Sequence, residues 1–251
     1  MRIRTTAVAV ATAAALLAGC SGSGSDTGSE GAGGAKSPAT EQPADEQPTQ
    51  PAAAGPVLTE AQLKQALVAK TEIAGYEAED NDVAAVRPKA DKEACRALAD
   101  MTASGTTRTP VAGAWASRNF SPASAPGMSV TTSLLSYEGD GARQTVADIR
   151  KAVEACSDGF STTGNNGGAT VTYTSVTAAQ QPLEGGDESV SWVMTGEAQG
   201  QQLPMHLTAV REGNALAVFF TIHLLSPKGA KLPQDLFDAQ LAKLAEAVES
   251  A

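Results

Sequence analysis

Three cysteines and two histidines carry the thiol and imidazole chemistry available to this chain. Their neighbours separate them by task. Cys20 closes the run Leu17-Ala18-Gly19-Cys20, at the end of an apolar stretch from Ala7 to Leu17 that only Thr12 interrupts, and Arg2 and Arg4 precede it. Positive start, short apolar middle and small residues before a cleavage point are the three parts of a secretory signal. The small residues let a peptidase approach the backbone, and the thiol that follows is placed for acylation. Residues 1–20 therefore read as a lipoprotein signal peptide, with Cys20 as the lipidated (palmitate-bearing) mature N-terminus. The run is too short to cross about 30 Å of hydrocarbon as a permanent helix. Acyl chains anchor instead, each buried methylene adding about 0.8 kcal/mol. A plain signal peptide ending in a chance cysteine is the competing reading; the Ser/Gly run directly after Cys20 favours the lipoprotein.

Export sets the expectation for Cys95 and Cys156. Outside the cytoplasm an even pair in a small domain reads as a disulfide. Closing a loop of roughly 60 residues is worth about 4 kcal/mol in the chain-entropy account. The pair lacks the Cys-x-x-Cys spacing of a redox site, and with no histidine nearby it does not complete a zinc shell. No metal and no cofactor is expected.

His206 and His223 both fall in predicted strands. Acyl transfer needs a nucleophile beside a histidine that an acid orients. The chain has no Gly-x-Ser-x-Gly turn to present a serine. Glu79, Asp80 and Asp82 read as a solvated loop rather than an acid/base pair. The loop Thr163-Gly164-Asn165-Asn166-Gly167-Gly168 is not followed by a helix, so it does not form a phosphate cradle. The expectation is a protein without catalytic residues. Trp115 and Trp192 remain as candidates to line a ligand pocket, with core packing as their alternative use.

These residues sit in three regions. Residues 21–56 are Gly, Ser, Pro, Ala, Thr, Gln and acidic residues with no large apolar side chain, a composition that cannot offset its ordering entropy and reads as a disordered linker. Its mean reach as a flexible coil is roughly 30–35 Å, and Pro38, Pro43, Pro48 and Pro51 stiffen it. Residues 57–251 suit one domain. Removing Arg2 and Arg4 with the signal leaves 16 basic against 28 acidic residues, a net charge near −12. That charge argues against nucleic acid and anionic headgroups as the main partner.

Periodicity divides the domain. Thr59 with Gln62 forms a capping box, and Leu58 and Leu63 are spaced as a hydrophobic staple, so a helix starts at Thr59 and buries Leu63, Ala66 and Leu67. A short helix over 91–101 carries Cys95 and Leu98. Strands follow over 114–120 and 128–137. Val146, Ile149, Val153 and Cys156 recur at steps of three and four, which predicts a helix over 142–157 with Cys156 inward. Four strands come next, over 170–177, 189–196, 203–211 and 215–224, with turns at Gly185-Gly186-Asp187 and Glu212-Gly213-Asn214. The last strand, apolar on both faces, should be central. A helix over 233–249 closes the chain on Leu236, Phe237, Leu241, Leu244 and Val248. The pattern predicts an α+β fold, a single domain with a twisted antiparallel sheet and flanking helices packed on one side, stapled by one disulfide.

The layout resembles the extracellular sensor domain of PknH-type actinobacterial receptor kinases and the exported lipoproteins that share it. The shared features are a cysteine in an early short helix (91–101), a strand with Trp115, and a Ser/Val-rich strand. A helix ending in a second cysteine (144–156) and the hairpin Val210-Arg211-Glu212-Gly213-Asn214-Ala215-Leu216 before an apolar strand complete the match, which spans most of 58–248. The resemblance implies a twisted antiparallel sheet with flanking helices and a ligand-binding cleft. The kinase-type domain is associated with two disulfides, whereas one cysteine pair is available here, and no kinase motif is present. The expected function is a non-enzymatic binding or sensor module for a small molecule or envelope component. It would sit at the outer face of the cytoplasmic membrane, held in the bilayer by acylated Cys20. A lipid or glycolipid carrier and a protein-docking module are the alternatives.

Overall fold

The computed structural model describes residues 55–164, 169–198, 200–226, 228 and 231–251. The signal peptide, Cys20, the linker up to residue 54 and residues 165–168 of the Gly-rich loop lie outside the described residues. In chain order the elements are α1 (Glu60–Ala66), β1 (Tyr76–Asp80), β2 (Lys89–Ala90), α2 (Arg96–Met101), β3 (Ala114–Pro122), β4 (Met128–Ser136) and α3 (Gly141–Ala155). They continue with β5 (Phe160–Thr163), β6 (Val171–Ala178), β7 (Glu188–Ala198), β8 (Gln201–Glu212), β9 (Ala215–His223) and α4 (Gln234–Glu249). All the strands form one antiparallel sheet in the order β1-β3-β4-β9-β8-β7-β6-β5-β2.

The apolar strand β9 lies inside the sheet, between β4 and β8. Its two-sided apolarity has a consequence that the expectation of helices on one side missed, because helices cover both faces. Leu216 and Val218 point into a core shared with α2 and α3, together with Leu98, Val146, Ile149 and Trp192. Ala215, Ala217 and Phe219 point the other way, into a core with Leu63 of α1 and Leu236, Phe237 and Leu244 of α4. Alternation along one strand thus feeds two hydrophobic layers. The connection between β4 and β5 runs through α3, which packs over β6, β7 and β8 and carries the chain from the sheet interior to its far side.

Local signals place these helices. Thr59 accepts from the Gln62 backbone N–H at 3.3 Å while the Gln62 side chain accepts from the Thr59 N–H at 2.9 Å, so the capping box is formed. Leu58 and Leu63 are both buried beside it. Gln240 of α4 is fully buried; its Nε2 donates to the Ala66 carbonyl at 2.7 Å and its Oε1 accepts from the Val68 N–H at 3.2 Å. It therefore satisfies the frayed end of α1 and locks the two helices together.

Cys95 and Cys156 form a disulfide with a Cα–Cα distance of 5.9 Å. The early helix is shorter than expected. A single tight turn, Glu93–Cys95, precedes α2, and the disulfide joins the start of α2 to the residue that caps α3. Arg108, fully buried, donates to the Asp100 carbonyl at 2.7 Å and to the Ala103 carbonyl, holding the far end of α2.

Three strands carry no clear sequence pattern: β1, β2 and β5. The acidic stretch read as a solvated loop begins in the end of β1, whose Glu79 and Asp80 pair with Asn119 and Arg118 of β3. Arg118 donates to Asp80 at 2.8 Å, so the charge at this sheet edge is an ion pair across two strands. A charged edge also discourages pairing with another chain.

Candidate ligand-binding cleft

The two faces of the sheet are covered unequally. On one face α3 lies over β6, β7 and β8, whereas on the other α1 and α4 lie over β3, β4, β8 and β9. The second face of β6 and β7 consequently lacks a helix, and a cleft of about 600 Å³ opens there. That volume is within the 300–1,000 Å³ span of small-molecule sites.

Strand alternation supplies the floor. Val176, Trp192, Met194, Met205 and Leu207 face α3 and are buried in its core. The intervening residues face the cleft: Thr177 on β6, Ser191, Val193 and Thr195 on β7, His206 and Thr208 on β8. Cross-strand register aligns them in rows, with Thr177 opposite Val193 opposite His206, and Ser191 opposite Thr208. The Ser191 and Thr208 hydroxyls are 2.9 Å apart and bonded. Thr221 lies directly opposite His206 on β9, fully buried, and its hydroxyl has no hydrogen-bond partner.

Two irregular segments make the walls. The turn expected at Gly185-Gly186-Asp187 is the end of a longer β6–β7 connection, residues 179–187, and Ala179 to Leu183 of that connection border the cleft. Gly186 is required at its base. It has φ +58°, and a Cβ there would stand 2.3 Å from the Arg211 carbonyl. Asp187 fixes the same point by accepting from the Gly213 N–H at 2.9 Å and from Arg211 at 2.7 Å. Opposite, Lys228, Lys231, Leu232 and Gln234 lead into α4, and Lys231 donates to the side-chain carbonyl of Gln181, tying one wall to the other.

Burial pushes the His206 imidazole below its ordinary range, and the positive charge of Lys231 adds to the shift. At neutral pH the ring is neutral and presents one donor and one acceptor. The described lining holds hydroxyls, amides, this imidazole and two lysines, and no carboxylate. Such a set can bind and orient a ligand by hydrogen bonds and charge. It lacks the acid that would orient His206 as a general base.

The sequence-based candidates are dispersed. The Trp192 strand borders the cleft, but its indole lies in the α3 core with no exposure. Trp115 lies on β3 against a separate groove of about 620 Å³, formed with Leu58, Val83, Ala85 and Thr106. The structure does not bring the two together. His223, at the end of β9, accepts from the Leu225 N–H at 3.2 Å and lies outside the cleft lining. Among the described residues no group of three or more His, Cys, Asp or Glu is gathered as a metal would require, and no helix is long and apolar enough to cross a membrane. The cleft residues that sequence reasoning passed over are Ser191, Thr208 and Lys231. Ser191 beside Val190 and Trp192, and Thr208 beside Leu207 and Ala209, were the available signal for the two hydroxyls, and Lys231 had none.

Sheet, paired helical layers and side cleft define an α+β domain built on one antiparallel sheet. A solved structure shares this fold: the extracellular domain of PknH from Mycobacterium tuberculosis, at 12% identity and a TM-score of 0.52, covering 78% of this chain and 100% of that one. At that identity the likeness is one of fold. The Rv0999 ortholog from Mycobacterium smegmatis aligns at 12% identity over 79% of this chain and 97% of its own, with a TM-score of 0.34 that carries no argument. No protein-family model matches the chain, and no curated protein matches it.

Proposed function

We propose that this chain is a lipid-anchored binding module of the outer face of the cytoplasmic membrane, capturing or sensing a small molecule or envelope component without chemical conversion. The observation that carries the reading is the cleft on β6–β8, where fixed strand side chains and two loop walls converge polar groups in a volume suited to a small ligand. Exported placement is supported by the signal-like residues 1–20 and by the shared fold with a domain described as extracellular. The absence of a carboxylate beside His206 in the described lining supports binding over catalysis.

Native mass spectrometry of the protein purified from its own membranes is the test. The expected result is an added mass that the cleft-filling variant Thr208→Trp lacks while retaining its thermal unfolding transition. An unliganded wild-type protein, or an added mass that Thr208→Trp retains, would count against the cleft. Docking on an envelope protein has one observation of its own, the adjacent exposed side chains Leu224 and Leu225. That reading predicts a partner lost on Leu224→Ser/Leu225→Ser and indifferent to Thr208→Trp.

A further inference from the structure

The charge in the cleft runs against the charge of the molecule. The chain carries 28 acidic and 18 basic residues, yet the described cleft lining contains Lys228, Lys231 and His206 with no Asp or Glu. Elsewhere most of the described cations reach carboxylates, among them Arg118 with Asp80, Arg150 with Glu188, Arg211 with Asp187 and Lys243 with Glu72, while Lys92 and Arg108 bond backbone carbonyls. Neither Lys228 nor Lys231 forms an ion pair among the described residues. Lys231 instead bonds the neutral side chain of Gln181, which holds its ammonium at the cleft wall. Asp235, the nearest acid in sequence, accepts from the Tyr76 hydroxyl at 2.9 Å and is not part of the lining.

The rest of the lining divides by polarity. Pro182, Leu183 and Leu232 form an apolar wall, while Ser191, Thr208 and His206 form the polar floor. Ammonium groups without an ion-pair partner among the described residues, bordering hydroxyls and a neutral imidazole, suit an oxyanion, since charge-assisted hydrogen bonds are the stronger ones. The apolar wall suits a hydrocarbon or ring attached to it.

From this juxtaposition we infer that the cleft selects a small organic anion. Its carboxylate, phosphate ester or sulfonate meets Lys231, Lys228 and the hydroxyl floor, and its apolar body packs on Pro182, Leu183 and Leu232. The inference rests on the binding-module reading and specifies its ligand class. It also accounts for how an acidic exported protein takes an anion: the molecule's overall field repels one at distance, and only the local lysines reverse the sign at short range.

A matched pair of probes tests it. Isothermal titration compares 2-naphthoate with its uncharged isostere 2-naphthamide on the chain bearing Cys20→Ala, which carries no acyl group to compete. The expected result is binding of naphthoate at least tenfold tighter than naphthamide, with the preference abolished by Lys228→Gln/Lys231→Gln and both probes excluded by Thr208→Trp. Both lysines are exposed, so the double variant leaves the cores untouched. Equal binding of the two probes, both blocked by Thr208→Trp, overturns the anion inference and leaves the binding module standing. Failure of both to bind overturns the anion inference, while the module reading stands or falls on the added mass in native mass spectrometry. Displacement of naphthoate by decanoate but not by inorganic phosphate is expected. Displacement by phosphate at equal concentration overturns the apolar half of the assignment.

Discussion

Replacing Cys95 and Cys156 with serine removes a cross-link between the start of α2 and the cap of α3, both fully buried. The expected cost is about 2–5 kcal/mol, read as a lowered denaturation midpoint, and alkylation without reduction should label neither residue of the wild type. A second residue-scale effect concerns pH. His206 has a folded pKa below its unfolded value of 6.5, so the unfolded chain takes up the proton more readily. Stability is therefore fully present above pH 6.5 and declines as pH falls below it, until the folded pKa is reached. The variant His206→Gln should flatten that decline between pH 7 and 5 in denaturant titrations. An unchanged slope would place the responsible groups elsewhere. Neither histidine's setting was legible in the sequence. Both read as strand residues, but the burial that depresses His206 is a product of the fold, and Lys231 lies 25 positions away in sequence.

Between elements, Gln240 is the joint most open to experiment. Gln240→Leu fits the space but leaves the Ala66 carbonyl and the Val68 N–H buried without partners. Each orphaned group costs about 1–3 kcal/mol, and the loss should appear in unfolding while the cleft, on other strands, keeps its probe affinity. At this scale much was readable in advance. The capping box of Thr59 and Gln62, the three-four spacing that turned Cys156 inward and the two-sided apolarity of β9 each reflect a local rule, and each element formed. The missed strands have a common cause. β1 has one neighbour in the sheet and two acidic residues at its end, β2 has two residues, and β5 has four. Segments so short or so charged are strands because of what they pair with, which periodicity along the chain does not register. The expectation of helices on one side failed for a related reason. The alternation in β7 and β8 shows which residues face a covered surface, but only the three-dimensional course of α3 and α4 shows that both surfaces are covered, and unequally.

For the whole molecule, the decisive residue is one outside the described structure. Cys20→Ala should shift the protein from the membrane fraction to the medium, or leave it unprocessed, as fractionation and mass analysis of the N-terminus would show. A mature, lipidated protein still retained at the membrane would refute the anchor. The cleft itself was only half legible at this scale. Its hydroxyl floor follows from strand alternation, whereas its lysines and apolar wall arrive from two connections that fold over the same uncovered strands. Pairing of β7 with β8 over their whole length is what brings those distant segments to one place.

The first described residue, Gly55, has a mechanical consequence. Its carbonyl accepts from Asn214 in the β8–β9 turn, and three residues on, the buried Leu58 donates its N–H to Ser136 at the end of β4, at 2.8 Å. The cleft residues Pro204, His206 and Thr208 lie along the middle of β8. Tension transmitted along a tether would load Asn214 and Ser136 first. The segment leading into α1 would peel from the turn before force reached the strand pairs that carry Ser191 and Thr208. Load on Gly55 would thus bear first on the β8–β9 turn, whose Gly213 N–H also holds Asp187 at the base of the cleft's β6–β7 wall.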